Sequence, residues 1–122
     1  MQVTGNSEPD KTVAYDRQLA ERIRAEVNGL PIIEKKMFGG VGYMLNGNMA
    51  CGILGDDLIV RVGAENYEKL LKRTHTKIFT MKGSPKPMKG WLMVETEGTT
   101  TASQLKDWIK IGVEFAATLP PK

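Results

Sequence analysis

A chain of 122 residues with 41% hydrophobic and 25% charged residues fits one globular domain that buries its own core. Its one cysteine, Cys51, excludes an intramolecular disulfide and favours a reducing compartment, so we expect a cytoplasmic protein. The net charge of +3 is too small to indicate a partner by itself. Residues 1–13 contain no apolar run for a signal peptide or membrane anchor, and we predict a flexible tail there and a single domain at 14–122.

The first element is a predicted helix over about 17–28. Asp16 is a good N-cap, and Gly29 and Pro31 supply a stop signal. Apolar residues recur at helical spacing between these signals. The predicted buried stripe is Leu19, Ile23, Val27 and Leu30.

A β-hairpin follows and is the clearest local pattern in the chain. The two predicted strands, 36–45 and 48–54, are separated by Asn46-Gly47, which tolerates the two positive φ angles of a type I′ turn. In the register that this turn implies, Gly42 faces Cys51 and Gly40 faces Ile53. The glycines would then leave a shallow trough on one face of the sheet, filled either by a helix or by a ligand or partner.

The second half predicts a strand at 58–62, a helix at 64–73, strands at 77–81 and 91–95, and a final helix that starts with a capping box at Thr101 and Gln104. The buried stripe of that helix is Leu105, Trp108, Ile109, Gly112, Ala116 and Leu119. The order is therefore α-β-β-β-α-β-β-α. Hairpin-linked strands imply an antiparallel sheet, so the predicted fold class is a two-layer α+β domain.

Three stretches together, Lys35 to Tyr43, Asp57 to Val62 and Pro87 to Trp91, resemble the TfoX (Sxy) N-terminal domain family in a stand-alone form. The motif residues are Lys36, Met37, Phe38, Gly39, Gly40, Arg61, Pro87, Met88, Lys89, Gly90 and Trp91. The resemblance implies an α+β fold similar to the secretion-chaperone-like folds. It also implies a non-enzymatic regulatory or adaptor domain that acts through protein association, as part of regulators that help switch on DNA-uptake genes.

Residues that could carry catalysis or bind a metal are few. His75 is the only histidine, and Cys51 sits in a predicted strand where a buried, inert thiol is expected. Asp56 and Asp57 lie in a predicted turn, where aspartate is favoured for local hydrogen bonds. Gly39, Gly40 and Gly42 do not form a phosphate-binding loop. We therefore predict no catalytic residue, cofactor or metal site.

The charge distribution leaves a second function open. From Lys69 to Val94 there are seven basic residues and no acid, whereas the rest of the chain has ten basic residues and all fourteen acids. The predicted anion or partner contacts are Lys72, Arg73, Lys77, Lys82, Lys86 and Lys89. They are either a solvated surface or a weak binding module for nucleic acid or another polyanion. We expect an unidentified protein partner; a homodimer is also compatible with the sequence, and no membrane is expected.

Overall fold

A computed structural model describes residues 15–37, 39–80 and 86–122; the predicted tail at 1–13 lies outside these ranges. The described helices and strands are α1 Arg17–Glu26, β1 Ile32–Met37, β2 Gly40–Leu45, β3 Asn48–Leu54, β4 Asp57–Arg61, α2 Ala64–Leu71, β5 Thr76–Ile78, β6 Trp91–Val94 and α3 Ala102–Ala117. A 3-10 turn, Thr96–Thr99, precedes α3. The strands form one antiparallel sheet in the order β1-β2-β3-β4-β6-β5. The predicted α+β class is confirmed.

Capping side chains set where α1 and α3 begin. The Asp16 carboxylate accepts the backbone N–H groups of Gln18 and Leu19 at 2.9 and 3.1 Å. At α3, the Thr101 N–H donates to Gln104 Oε1 at 2.9 Å and the Gln104 N–H donates to Thr101 Oγ1 at 3.1 Å, which confirms the predicted capping box.

The predicted stripe of α1 is correct for its first three residues and wrong for the fourth. Leu19, Ile23 and Val27 are buried, but α1 ends at Glu26, and Leu30 lies beyond the helix with 46% of its surface exposed. Leu30 belongs instead to the connection between α1 and β1. Helical periodicity continued by chance past the physical end of the helix.

The sheet has one more strand than predicted among the described residues. The predicted strand at 36–45 is two strands, β1 and β2, because the chain turns at Gly39, whose φ is +77°. A positive φ is a conformation that glycine adopts at no steric cost. β1 begins directly after Pro31, four residues earlier than expected, and forms one edge of the sheet.

The β2–β3 hairpin has the predicted turn but not the predicted register. Asn46 and Gly47 have φ angles of 53° and 84°, as a type I′ turn requires. A bulge between Met49 and Cys51 then adds Ala50 as an extra residue, so Gly42 faces Gly52 and Cys51 faces Tyr43. The predicted pairings of Gly42 with Cys51 and of Gly40 with Ile53 were wrong because each bulge residue shifts everything after it.

All three helices pack on one face of the sheet. The core there joins side chains of α1, α2 and α3 to alternate residues of the central strands. The strand residues of this core are Val41, Tyr43, Cys51, Ile53, Leu58, Val60, Leu92 and Val94. Gly112 brings α3 against the backbone of Ala50, where a side chain would collide with the Ala50 carbonyl.

A polar network ties α1 to the edge strand β1. Arg24 donates to both carboxylate oxygens of Glu34, at 2.9 and 3.2 Å, and the Tyr43 hydroxyl donates to Glu34 at 2.7 Å. Burial raises the pKa of the Glu34 carboxyl, but the hydrogen bonds from Tyr43 and Arg24 and the positive charges of Arg24 and Lys36 outweigh it, so the pKa is lowered overall. The ionised form of Glu34 is the one that the fold stabilises.

Candidate functional site

The face of the sheet opposite the three helices presents one continuous row of residues across all six strands. Each member of the row pairs with the next in the sheet register. The row consists of Lys35, Gly42, Gly52, Ile59, Met93 and Lys77. We call this side of the sheet the open face, because no helix in the described ranges packs on it.

The centre of the open face is a trough formed by the facing glycines Gly42 and Gly52, and methionine side chains fill it. A Cβ built on Gly42 would lie 3.3 Å from the Met49 sulfur and 3.5 Å from the Met37 methyl carbon. A Cβ on Gly52 would collide with the Met49 methyl group. The predicted trough therefore exists, but Met49 and Met37 occupy it rather than a helix.

The strand methionines line the open face and are absent from the hydrophobic core. Met37, Met44, Met49 and Met93 are all half-buried, and none is a member of the core cluster. Ile33, which precedes them on the edge strand β1, is 69% exposed. This face is apolar and in partial contact with solvent.

Arg61 lies at the end of β4, where the open face meets α3. Its guanidinium is 5.1 Å from the centroid of the Trp91 ring and 5.7 Å from that of the Phe115 ring. Trp91 is its direct cross-strand partner, and Phe115 belongs to α3. Arg61 forms no ion pair with a described carboxylate, so the two aromatic rings hold a cation whose N–H donors remain available.

The acidic residues on the open face are already paired. Lys77 Nζ lies 3.7 Å from Asp57 Oδ2 and 3.4 Å from Glu95 Oε2. Burial, helped by the charges of Glu95 and Asp56, raises the pKa of Asp57 despite the neighbouring ammonium group of Lys77. One ammonium offsets one of the two carboxylate charges, whereas Lys35 and Arg61 on the same face have no ion-pair partner among the described residues.

The structure separates the basic residues that the sequence suggested as anion contacts. Arg73 turns toward α3, where it pairs with Asp107 at 2.7 Å and lies 4.9 Å from the centroid of the Trp108 ring. Lys77 lies on the open face instead. Lys72, Lys86 and Lys89 are exposed, and Lys82 lies outside the described residues. Arg73 and Lys77 therefore have carboxylate partners in different parts of the described surface.

A cleft of about 220 Å³ lies where α2, the 3-10 turn and α3 meet. Its lining is Arg73, Thr74, His75, Gly98, Gln104, Asp107 and Trp108. The His75 side chain makes no hydrogen bond to another described residue, and Asp107 is engaged by Arg73. No hydrogen bond joins a described hydroxyl group to the His75 imidazole in this cleft.

Cys51 and the acidic residues add no catalytic or metal-binding group. Cys51 is fully buried, and burial raises the pKa of its thiol to about 12, which keeps the thiol protonated and unreactive. No three His, Cys, Asp or Glu side chains of the described residues are close enough together to hold a metal ion. None of the described helices is both long enough and apolar enough to cross a membrane.

The family model of the TfoX N-terminal domain matches residues 28–116, which is most of the chain. The chain belongs to this family. No match was found among curated proteins or among solved structures. The TfoX N-terminal family is a family of regulatory domains, and this chain is a competence-regulator-like domain.

The motif residues of this TfoX N-terminal domain form two groups. In the first group, Met37 on β1 pairs with Gly40 on β2. Lys36 precedes Met37 in the strand, and Gly39 lies in the turn between the two strands; Phe38 lies outside the described residues. At the other group, the Gly90 carbonyl accepts the N–H groups of Val62 and Gly63 at 2.7 and 3.0 Å, directly beside the pair of Arg61 and Trp91. Pro87 and Lys89 are exposed, and Met88 is half-buried.

Sequence reasoning missed Gly52 and the contact between Arg61 and Phe115. Gly52 enters the trough only because of the bulge at Ala50, which no local motif announces. Phe115 is 54 positions from Arg61 in sequence, and helical spacing alone does not say which strand end it reaches. The cross-strand pair of Arg61 and Trp91 could have been found by aligning the predicted strands at 58–62 and 91–95.

Proposed function

We propose that this TfoX N-terminal domain is a non-enzymatic regulatory or adaptor domain that acts through protein association, and that the open face is the surface the partner contacts. The observation that carries the proposal is an apolar sheet face on which no described helix packs. Antiparallel sheets commonly pack one face on the core and expose the other to solvent, and the exposed face is normally polar. An apolar outer face is instead a feature of interaction surfaces.

The chemistry of the open face suits a protein partner. Methionine side chains have three rotatable bonds and a polarizable sulfur, so they adapt to the shape of an apolar partner. Met49 can leave the trough above Gly42 and Gly52, because only its flexible end lies there. Charged groups lie around this centre, as at Lys35 and Arg61, which is the usual arrangement of a protein interface.

A photo-crosslinking experiment tests this proposal. A benzophenone amino acid placed at Ile33, on the edge of the open face, should give discrete protein adducts in cells that express the full chain. The same group at the exposed Lys106 on α3 is the matched control and should give none or a different set. No adduct at Ile33, or the same adducts at both positions, would refute association through the open face.

Weak binding of a polyanion is the second candidate function. It is favoured by the exposure of Lys69 and Lys72 at the end of α2 and of Lys86 and Lys89 before β6. The ion pairs of Arg73 with Asp107 and of Lys77 with Asp57 and Glu95 count against it, since a paired cation contributes less to phosphate binding. Protein association is therefore the leading proposal.

A further inference from the structure

We infer that the partner segment is an amphipathic helix with acidic residues beside its apolar stripe, and that Arg61 and Lys35 recognise those acids. This inference rests on the proposed function and adds the chemistry of the partner. It follows from the charges that the open face leaves unpaired and from the shape of its apolar centre.

The charges on the open face indicate the sign of the charge that a partner segment should carry. Asp57 and Glu95 share the ammonium group of Lys77, which offsets one of their two negative charges. Lys35 and Arg61 make no ion pair within the described part of the chain. A segment that covers this face buries these two cations at least partly, and burial of an unpaired charge is unfavourable. The partner must supply carboxylates.

Arg61 is prepared to bind a carboxylate. Trp91 and Phe115 both contact the guanidinium, so less side-chain freedom is lost when it forms hydrogen bonds. A planar guanidinium matches the two oxygens of a carboxylate, and such paired hydrogen bonds are directional as well as strong. The position of Arg61 at the end of β4 places this interaction at the rim of the apolar centre.

The geometry favours a helix over other occupants. Met49 and Met37 fill the trough over the facing glycines with flexible ends that can repack around the apolar stripe of a helix, whereas a strand added at the free edge of β1 would leave Met49 and Met93 uncovered. Three strand spacings separate Lys35 from Arg61, roughly 15 Å, which corresponds to about ten residues of helix. Acidic residues eleven positions apart lie on nearly the same side of a helix and fit this separation.

Two other occupants fit less well. A second copy of this chain would bring the same two unpaired cations, and its Asp57 and Glu95, which share Lys77, carry only one uncompensated charge between them. A nucleic acid would place phosphates against the half-buried methionines, which cannot neutralise them. Self-association and nucleic-acid binding are therefore outcomes that would contradict the inference.

The test uses two synthetic helical peptides of one length with the same leucine stripe. One carries glutamate at two positions eleven residues apart, and the other carries lysine at those positions. Each is titrated into the full chain, in which the methionine methyl groups are ¹³C-labelled, and binding is followed by NMR. We expect the acidic peptide to shift the signals of Met44, Met49 and Met93 and to bind at least about tenfold more tightly than the basic peptide.

Substitutions identify the residues that bind the acidic peptide. Lys35→Glu and Arg61→Gln should each weaken binding of the acidic peptide by about three- to tenfold. Lys106→Glu on α3, the same change of charge as Lys35→Glu, should not weaken it. The methyl spectrum reports whether each variant is folded, and Lys35→Glu, at an exposed edge position, carries the test if Arg61→Gln does not fold.

The possible results separate the inference from the proposed function. If both peptides bind equally and shift the methionine signals, the inference of an acidic partner helix is wrong, but the proposed association through the open face still stands. No methionine shift with either peptide would also overturn the inference, while crosslinks from Ile33 would still support association. Methionine shifts caused by raising the protein concentration alone would indicate a second copy as the occupant and overturn the inference.

Discussion

Gly42 lies directly opposite Gly52 in the β2–β3 ladder, but the surroundings of the two glycines differ. A Cβ on Gly42 would meet only the flexible ends of Met49 and Met37, at 3.3 to 3.5 Å. A Cβ on Gly52 would lie 2.6 Å from the carbonyl oxygen of Val41, which is backbone and cannot move aside. We therefore expect Gly52→Ala to lower the free energy of unfolding by at least about 1 kcal/mol and Gly42→Ala by less than about 0.5 kcal/mol.

Urea unfolding of the two variants beside the wild type measures this difference, and the wild type supplies the reference slope. Equal losses for both substitutions would mean that Met49 is as rigid as backbone. An adaptable binding surface in the trough would then be untenable.

At the Asn46-Gly47 turn, two effects oppose a side chain on Gly47. The φ of +84° strains a β-branched residue, and a Cβ would lie 2.8 Å from the Cβ of Lys122. We expect Gly47→Val to cost at least about 1 kcal/mol of stability. Gly55→Val is the control, because Gly55 also has a positive φ, +64°, but no neighbour within 4 Å. A smaller loss at Gly47 than at Gly55 in thermal or urea unfolding would contradict the contact with Lys122.

Most of the fold could be predicted because its signals are local. Asp16 and Thr101 begin helices through side-chain hydrogen bonds within three residues, and Asn46-Gly47 sets a turn through its own φ angles. The break at Gly39 could not be predicted with the same certainty. A glycine inside an apolar run is compatible with a bulge, a bend or a turn, and only the pairing of β1 with β2 decides among them.

The open face was predicted only in part, because it depends on the strand register and on the face of the sheet against which the helices pack. The bulge at Ala50 changed the neighbour of Gly42 from Cys51 to Gly52. The side of the sheet on which Met44 and Met49 lie could not be predicted for a related reason. A strand with apolar residues on both sides does not say which side faces the helices.

Glu34 should make stability depend on pH in the acid range. Its folded pKa lies below the ordinary value of 4.5, so the stability it contributes is present above that value and is lost as pH falls through the folded pKa. We expect Glu34→Gln to cost roughly 1 kcal/mol at pH 7 and almost nothing at pH 3. Urea midpoints at both pH values test this, with Tyr43→Phe as a variant that removes one hydrogen bond to Glu34 but no charge. A loss that is the same at pH 3 and pH 7 would show that the Glu34 charge contributes nothing.

Cys51 should react slowly in the native protein. Its side chain is buried in the core between β2 and β4, so a reagent cannot reach the sulfur. Burial also raises the pKa of the thiol to about 12, so the reactive thiolate does not form at neutral pH. We expect a chromogenic disulfide reagent to label unfolded protein at least about 100-fold faster than native protein at pH 8. Equal rates would place Cys51 outside the core. A faster native rate would reveal an activated thiolate and reopen the question of catalysis.

The last prediction concerns nucleic acid. The exposed lysines in the described part of the predicted basic segment are Lys69 on α2, Lys72 at its C-cap, Lys77 on β5, and Lys86 and Lys89 before β6. Lys77 is ion-paired with Asp57 and Glu95, and Arg73 with Asp107. Two or three phosphate contacts give a slope of log affinity against log salt of about −2 on duplex DNA. We expect weak, sequence-tolerant binding at low salt and none at physiological salt, measured by fluorescence anisotropy with short duplex and single-stranded oligonucleotides.

Charge reversal decides whether these lysines are responsible. Lys86→Glu with Lys89→Glu should abolish the low-salt binding and change stability by less than about 0.5 kcal/mol, because both side chains are exposed. Lys106→Glu with Lys110→Glu on α3 makes the same change of net charge and should leave most of the binding intact. If both double variants weaken binding equally, net charge alone attracts the nucleic acid. Binding that persists at physiological salt and disappears only in the Lys86 and Lys89 variant would make the polyanion module the leading function and displace protein association.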